Sequence, residues 1–205
     1  SGSMRFGAIP GISPRAKVAL AAEAAAVVAV NAMRNHDRIG LTAFADDVVQ
    51  HLPPRKGRAH TMRLLRDVLA ASAARRGTNF TVALDHLRMQ KKRTVCFVIS
   101  DFLGAGDDLG DALARASRRH DVVGLRVADP AEESLPSSGA PLVLLDPEGE
   151  DEVVLSGGHH AVAAYATGYR TARTRVEKLF RGAGCDLVEL RTDGSAMAAL
   201  QRFFA

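Results

Sequence analysis

Thr94-Val95-Cys96-Phe97-Val98-Ile99, followed directly by Ser100 and Asp101, is the stretch that decides the fold of this 205-residue chain. It is apolar at every position from Val95 to Ile99, and therefore on both faces of a strand. Such a strand lies inside a parallel sheet that helices cover on both sides. Open parallel sheets bind ligands beyond the carboxyl ends of their strands, which is where Asp101 stands. The stretch therefore predicts an α/β sheet and a candidate site residue together.

Strands and helices alternate on either side of this segment, as in doubly wound α/β proteins. The patterns predict helices at 14–35, 60–74, 81–89, 107–119, 160–180 and 195–204, and strands at 38–44, 48–52, 94–99, 122–127 and 186–190. Two hairpins are predicted, one from the strands at 38–44 and 48–52, closed by Pro53 and Pro54, and an extra one near 142–155. We expect a single domain over 1–205, with a mainly parallel, Rossmann-like sheet, helices on both faces and one antiparallel edge strand.

Composition narrows the functional class. The 27 basic and 23 acidic residues give a net charge of only +4, and the chain has no Trp and two Tyr, so it lacks the interleaved basic and aromatic residues of single-stranded nucleic acid binders. No apolar run reaches the roughly 18 uncharged residues of a membrane helix, and no signal-peptide pattern opens the chain. Two cysteines in apolar segments are typical of buried thiols in a reducing compartment. The sequence predicts a cytoplasmic chain that binds no nucleic acid and has no membrane segment.

Four residues with oxygen ligands are predicted to meet at the edge marked by Asp101. Ser1, Ser3 and Thr78 are hydroxyl residues in predicted loops at that edge. Hydroxyl and carboxylate oxygens suit a hard cation such as Mg²⁺ or Mn²⁺. Each residue also has a structural interpretation: Ser1 and Ser3 as the remnant of an expression tag, Thr78 as a loop residue before a helix, and Asp101 as a turn former. Both interpretations stay open at this point.

Several motifs resemble those of a known family. Ser1-Gly2-Ser3-Met4-Arg5-Phe6-Gly7, Gly77-Thr78 and Ile99-Ser100-Asp101-Phe102 resemble the metal-ion-dependent adhesion site of von Willebrand factor A domains. Together with Leu52-Pro53-Pro54-Arg55-Lys56-Gly57 and Leu190-Arg191-Thr192-Asp193-Gly194, they make nearly the whole chain similar to the A-like domain of the domain-of-unknown-function 58 family. This resemblance covers the fold as well as the site.

The resemblance implies a function as well as a fold. It implies that Ser1, Ser3, Thr78 and Asp101 hold Mg²⁺ or Mn²⁺, whose vacant position binds an Asp or Glu carboxylate of a protein partner. The ion would then join two proteins rather than catalyse a reaction. It also implies a non-enzymatic adaptor or co-chaperone partner of a MoxR-type AAA+ ATPase. The parent proteins of this family are often anchored to a membrane through an N-terminal segment, which this chain does not contain.

The chain departs from the family pattern in three places. The leading Asp of the D-x-S-x-S motif is absent, Asn79 replaces a common acidic residue, and Ser100-Asp101-Phe102 replaces the usual Thr-Asp-Gly of A domains. In the A-domain fold the absent Asp ends a central strand between the strands at Arg38 and Thr94. Loss of a central strand leaves two rows of backbone groups unpaired. The sequence therefore predicts that the native protein continues upstream and that this chain is truncated inside the motif.

A metal-dependent hydrolase on a related α/β sheet is the rival interpretation, with Asp101 as its catalytic carboxylate. Such an enzyme needs a second acidic cluster at the same edge of the sheet. The candidates are Asp46-Asp47 and Asp107-Asp108, whose positions in the pattern are typical of turn and capping residues. We therefore expect an interaction module rather than an enzyme.

Overall fold

The computed structural model describes residues 4, 16–71, 78–133, 142–145, 152–155 and 159–204. Within these ranges the chain forms seven helices and seven strands. The helices are α1 (Lys17–Arg34), α2 (Arg58–Ala71), α3 (Phe80–Leu87), α4 (Asp108–Ser117), α5 (Pro130–Glu133), α6 (His159–Gly182) and α7 (Ala196–Phe204). The strands are β1 (Ile39–Phe44), β2 (Val48–Arg55), β3 (Val95–Ser100), β4 (Asp121–Ala128), β5 (Leu142–Leu145), β6 (Glu152–Leu155) and β7 (Asp186–Arg191).

A parallel sheet in the order β3-β4-β7 forms the centre of the fold. Strand β4 pairs with β3 from Asp121 to Arg126 and with β7 from Val123 to Ala128. Its residues are buried from Val122 to Ala128, as expected for a parallel strand covered on both faces. Within the described residues β3 pairs on one side only, with β4, and Val95 at its start is 53% exposed.

A second, antiparallel sheet contains the hairpin of β1 and β2. The prediction that Pro53 and Pro54 end the second strand is wrong, because β2 continues to Arg55, which pairs with Ile39. Proline lacks a backbone N–H, but β2 pairs only with β1 in the described chain, so its other edge requires no donor. The predicted antiparallel hairpin is thereby confirmed, while its place at the edge of the parallel sheet stays a prediction.

The two sheets are not continuous in the described part of the chain, because no ladder joins β1 to β3. The sequence predicts one sheet, with the absent central strand between these two strands. The break therefore falls where that strand is expected, and the strand itself stays a prediction. The extra hairpin near 142–155 is confirmed, with β5 and β6 paired antiparallel.

Helices cover both faces of the parallel sheet, which confirms the doubly wound arrangement. On one face, side chains from α3, α4 and α6, among them Leu84, Leu113 and Phe180, form a core cluster. On the other face, Leu20 of α1 and Leu200 of α7 pack against Leu125 and Val127 of β4 and Leu190 of β7. Within the described residues, none of the helices has both the length and the apolar character that crossing a bilayer requires.

Candidate functional site

Asp101 lies directly after β3, at the carboxyl end of the parallel sheet, as the sequence predicts. Its side chain is almost fully buried, and the residue is 4% exposed. The backbone turns sharply after the strand: the Leu103 amide donates to Asp101 Oδ1 over 3.4 Å, and the Phe102 amide donates to Ser100 Oγ over 3.2 Å. These bonds to the preceding side chains fix the direction of the carboxylate relative to the sheet.

Phe102 has a left-handed backbone, with φ of 57°. This conformation favours glycine and costs other residues about 1–2 kcal/mol. Phe102 therefore combines a backbone conformation that favours glycine with a large side chain. That side chain is 1% exposed, and its packing offsets the strain of the backbone.

Four phenylalanine rings form a continuous aromatic row beneath the edge of the sheets. Their centroids are 5.7 Å apart from Phe44 to Phe80, 5.1 Å from Phe80 to Phe102 and 5.2 Å from Phe102 to Phe180. The row begins at the end of β1, passes through α3 and the loop after β3, and ends on α6. It therefore joins the hairpin to the parallel sheet at the level of Asp101.

Thr78 lies two residues before Phe80, whose ring stacks on that of Phe102, the residue after Asp101. Asn79 caps α3 by accepting a hydrogen bond from the Val82 amide, and its own amide donates to Ala45 O over 2.7 Å, just past β1. Asn79 thus has a capping role, which explains why an amide side chain suits this position. Thr78 precedes this cap and is half-buried. Ser1 and Ser3, the other two predicted ligands, lie outside the described residues.

The main partner of Asp101 is a residue that the sequence analysis missed. Lys17, the first residue of α1, is 0% exposed. Its Nζ donates to Asp101 Oδ2 over 2.9 Å and to Glu132 Oε1 over 2.5 Å. A lysine in the first turn of a buried helix opposes the helix dipole, and this is the one sequence signal that points to a buried ion pair.

Glu132 and its neighbours come from the segment after β4, which the sequence analysis left as irregular. Asp129 is fully buried and accepts hydrogen bonds from the Ala131 amide, over 2.9 Å, and from the Thr192 hydroxyl, over 2.8 Å. It thereby starts the short helix α5, on which Glu132 faces Lys17. Asp101, Asp129 and Thr192 follow β3, β4 and β7 respectively, so three adjacent parallel strands supply the site from their carboxyl ends.

Burial controls the electrostatics of this group. Burial raises the pKa of the Glu132 carboxyl, and the neighbouring Lys17 ammonium partly opposes that shift. Burial likewise raises the pKa of the Tyr169 phenol, with the charge of Glu132 adding to the effect. Tyr169 lines a narrow cavity beside Asp101, together with Arg126 and Arg173. Both Glu132 and Tyr169 therefore hold their protons more tightly than they would in water.

A network of alternating charges closes the cavity from the side of α6. Arg126 of β4 is buried and pairs with Glu189, while Arg173 of α6 contacts Glu177 over 3.1 Å and Glu189 over 3.2 Å. Arg173 also reaches Glu133 over 3.3 Å, which joins the network to α5. These pairs hold α6 against the sheet next to Asp101.

In the described residues, a positively charged group lies against the Asp101 carboxylate. The carboxylates of Asp101 and Glu132 converge on one point, which the Lys17 ammonium fills. Two converging carboxylate oxygens also suit a hard divalent ion. Within the described ranges, however, no group of three or more His, Cys, Asp or Glu side chains could hold a metal. The set therefore fits a divalent cation only as part of a larger set of ligands, such as the predicted hydroxyls.

The family of the chain follows from comparison with known proteins. A family model described as "Protein of unknown function DUF58" matches residues 1–175. The chain belongs to the DUF58 family. This confirms the family that the motifs resemble, while the adhesion site and the association with a MoxR-type ATPase stay predictions.

Mycobacterial proteins are similar to the DUF58 chain in sequence. Uncharacterized protein Rv1480 of Mycobacterium tuberculosis is 31% identical over 189 residues, which cover 91% of this chain and 59% of that protein. Uncharacterized protein MAV169 of Mycobacterium avium is 30% identical over 155 residues, covering 74% of this chain and 90% of that protein. The DUF58 chain thus spans 59% of the length of the Mycobacterium tuberculosis relative.

Two crystal structures from Bacteroides share the fold of the DUF58 chain. An aerotolerance-related membrane protein from Bacteroides fragilis matches with a TM-score of 0.62 and 17% identity, over 98% of this chain and 91% of that one. The conserved hypothetical protein BatB from Bacteroides thetaiotaomicron matches with a TM-score of 0.61 and 18% identity, over 100% of this chain and 92% of that one. At this identity the likeness shows an α/β fold and nothing about activity.

Proposed function

We propose that the chain is a non-enzymatic protein-interaction module that binds an acidic partner through a divalent cation at Asp101. One observation carries the proposal: the buried carboxylates of Asp101 and Glu132 converge on a single cation position at the carboxyl end of the parallel sheet. Ligand sites of open parallel sheets lie at this end. A buried pair of carboxylates at such a place is suited to holding positive charge.

Asp101 and Glu132 would hold the ion, together with Thr78, Ser1 and Ser3, which the resemblance adds. A bound Mg²⁺ or Mn²⁺ supplies a coordination position that a partner's Asp or Glu carboxylate can fill. The chain's own contribution is rigidity, because the stacked rings of Phe80 and Phe102 hold the loops of Thr78 and Asp101 at one edge. Preorganised ligands of this kind lower the entropic cost of binding.

The partner in this proposal is a MoxR-type AAA+ ATPase, for which the chain acts as an adaptor. Its support is the resemblance of the sequence to a family associated with such ATPases. The proposal also places the module in the cytoplasm, as part of a membrane-anchored parent protein. One structural neighbour is itself described as a membrane protein.

The rival hydrolase has no comparable support. It requires Asp101 as a catalytic carboxylate that reaches its substrate. In the structure Oδ2 accepts a hydrogen bond from Lys17 and Oδ1 accepts one from the Leu103 amide. Both oxygens are therefore engaged inside the protein, a state that suits a structural or ligand-holding role.

Calorimetric titration tests the ion, with Mg²⁺ and Mn²⁺ added separately to the wild type, Asp101→Asn and Asp107→Asn. Asp107 is an exposed carboxylate after the same strand, so its variant is a matched control. We expect Asp101→Asn to weaken binding at least tenfold and Asp107→Asn to leave it unchanged. Equal binding by the wild type and Asp101→Asn would sink the coordination proposal.

The partner is tested separately, with a purified MoxR-type ATPase from the same genome immobilised on a sensor surface. We expect binding of the chain in Mg²⁺ and its loss in EDTA. We also expect Asp101→Asn to bind the ATPase weakly in both buffers. Binding that EDTA does not change would contradict the role of the ion in the interface.

A further inference from the structure

Lys17 joins three separate parts of the fold through one buried ammonium group. It belongs to the first turn of α1, while Asp101 follows β3 and Glu132 lies on α5 after β4. The Nζ lies 2.9 Å from Asp101 Oδ2 and 2.5 Å from Glu132 Oε1, and all three side chains are buried. These distances are those of short, charge-assisted hydrogen bonds.

Burial and the helix terminus both disfavour an ammonium at this position. Burial removes its hydration, and the amino end of α1 repels positive charge. The α1 cap, Ala16, has no side-chain hydrogen bond that would weaken this field. Asp101 and Glu132 therefore stabilise the Lys17 ammonium against its burial and against the helix dipole.

The three charges do not cancel. One ammonium faces two carboxylates, so the group keeps an excess of negative charge when both carboxylates are ionised. A divalent cation matches this charge better than an ammonium does. The two cations cannot share the position, because like charges a few Å apart in the protein interior repel strongly.

We propose that Lys17 is a tethered cation that occupies the Asp101 site, and that a divalent ion binds there by displacing its ammonium. This inference rests on the proposed function, which places the ion at Asp101. Lysine suits the role because its ammonium is a compact charge on a flexible stem of four carbons. The site thus has two states: one closed by Lys17, and one in which the ion is bound and the Lys17 side chain has left.

Competition of this kind lowers the apparent affinity for the ion. The metal binds only the fraction of molecules whose site Lys17 has vacated, and its apparent dissociation constant rises by the inverse of that fraction. Displacement also breaks the ion pairs of Lys17, the first residue of α1, with Asp101 and Glu132. Ion binding is therefore coupled to a change at the amino end of this helix.

Amine labelling of the wild-type protein tests the displacement without any substitution. A lysine-acetylating reagent is applied with and without saturating Mg²⁺ or Mn²⁺, and each lysine is quantified by mass spectrometry. We expect Lys17 to be protected without the ion and to react at least tenfold faster with it. The exposed Lys91 and Lys92 are internal controls and should not change. Unchanged Lys17 labelling at ion concentrations that calorimetry shows to be saturating would overturn the inference.

Calorimetry of Lys17 variants tests the competition itself. Lys17→Met keeps an apolar stem and removes the ammonium, so we expect Mg²⁺ affinity to rise at least tenfold. Because this variant leaves two buried carboxylates facing each other, Lys17→Met/Glu132→Gln is the second variant, and it conserves the net charge of the wild-type group. We expect it to bind Mg²⁺ more tightly than Glu132→Gln, which lacks the same carboxylate but keeps the Lys17 ammonium. Lys178→Met, at an exposed position, is the control.

The outcomes test the displacement of Lys17 separately from the existence of an ion site at Asp101. If Lys17→Met raises Mg²⁺ affinity neither in the wild type nor in Glu132→Gln, the tethered cation is overturned but the ion site stays intact. Absence of Mg²⁺ and Mn²⁺ binding in the wild type and in both variants overturns the ion site and the tethered cation together. Tighter binding by the variants, together with ion-dependent labelling of Lys17, supports both.

Discussion

Phe102 combines a left-handed backbone with complete burial, and the two properties have opposite effects on stability. The backbone at φ 57° costs free energy, while the buried ring stacks on Phe80 and packs edge-on against Phe180. The two contributions can be separated because glycine and alanine both remove the ring but differ in their tolerance of positive φ.

We predict that Phe102→Ala lowers the free energy of unfolding by about 3–5 kcal/mol, the usual cost of deleting a buried phenylalanine ring. Phe102→Gly should be less destabilising than Phe102→Ala by about 1 kcal/mol, because it relieves the left-handed strain. Phe180 is the control, since it is equally buried but lies in α6. At position 180 the glycine variant should be less stable than the alanine variant by about 1 kcal/mol.

Urea denaturation of the four variants measures these differences. We expect the glycine variant to be more stable than the alanine variant at position 102. At position 180 we expect the alanine variant to be the more stable one. If alanine is the more stable substitution at both positions, the backbone at Phe102 carries no strain and its glycine-like role is wrong.

Asp101 is a site residue that the sequence predicts, and Lys17 is one that it does not. Asp101 could be predicted because its position depends on local features, a run of apolar residues and the point where it stops. The partners of Lys17 are 84 and 115 residues away along the chain. No local pattern relates such distant positions. The positive charge of Lys17 in the first turn of a helix was therefore the one sequence feature that indicated a buried ion pair.

At the level of elements, α6 and β4 approach each other closely. A Cβ atom added at Gly124 of β4 would lie 2.5 Å from Phe180 Cε1 and 2.7 Å from Leu187 Cδ1. Both distances are well inside van der Waals contact. Glycine at this position therefore lets the last turns of α6 lie directly on the sheet, with Phe180 at the end of the aromatic row.

We predict that Gly124→Ala destabilises the protein by about 1–3 kcal/mol, since the added methyl group overpacks a filled core. Gly168→Ala is the matched control in α6, because nothing lies within 4 Å of an added Cβ there. It should stabilise the protein by about 0.5–1 kcal/mol through improved helix propensity. Thermal unfolding followed by far-ultraviolet circular dichroism measures both changes, and a neutral Gly124→Ala would contradict the close packing of α6 on β4.

Element boundaries show where sequence patterns stop being sufficient. The apolar run of β3 predicted that strand, and apolar residues at helical spacing predicted the helices. Both patterns are local. The end of β2 was mispredicted because the tolerance of Pro53 and Pro54 depends on which neighbours the strand has, a property of the sheet. The short α5 was missed because it is fixed by Asp129 and by the distant Thr192.

For the molecule as a whole, histidine burial links stability to pH. His120, between α4 and β4, is 1% exposed, and neither ring nitrogen has a hydrogen-bond partner in the described part of the chain. Burial lowers the pKa of its imidazole below the usual 6.5, and the Arg119 charge adds to this while Asp121 opposes it. Below pH 6.5 the unfolded chain therefore binds a proton at His120 more readily than the folded chain does.

The stability of the whole molecule should consequently fall as pH drops below 6.5. We predict that His120→Leu flattens this fall by up to about 1.4 kcal/mol per pH unit, the limit for one proton. His120→Phe, which keeps a ring, should do the same. Urea unfolding at intervals from pH 5 to pH 8 gives the two slopes. Parallel curves for the wild type and both variants would show that His120 does not govern the acid response.

The overall architecture was predictable to the level of a doubly wound α/β sheet and no further. The parallel sheet and the helices on both faces follow from alternation and from the apolar strands. The strand order β3-β4-β7 does not, because pairing between strands depends on contacts that no single segment specifies. The discontinuity between β1 and β3 lies where the resemblance to A domains predicts an absent strand. The aromatic row from Phe44 to Phe180 bridges that discontinuity, yet its four members are spread over 137 positions of the chain.

The cavity beside Asp101 has an optical consequence. The chain has no tryptophan, and its two tyrosines, Tyr165 and Tyr169, both lie on α6. Tyr169 lines the cavity that Asp101 borders. The tyrosine fluorescence of this chain therefore originates from a single helix, next to the buried Asp101. The unlabelled wild-type chain thus carries its own emission probe beside that residue.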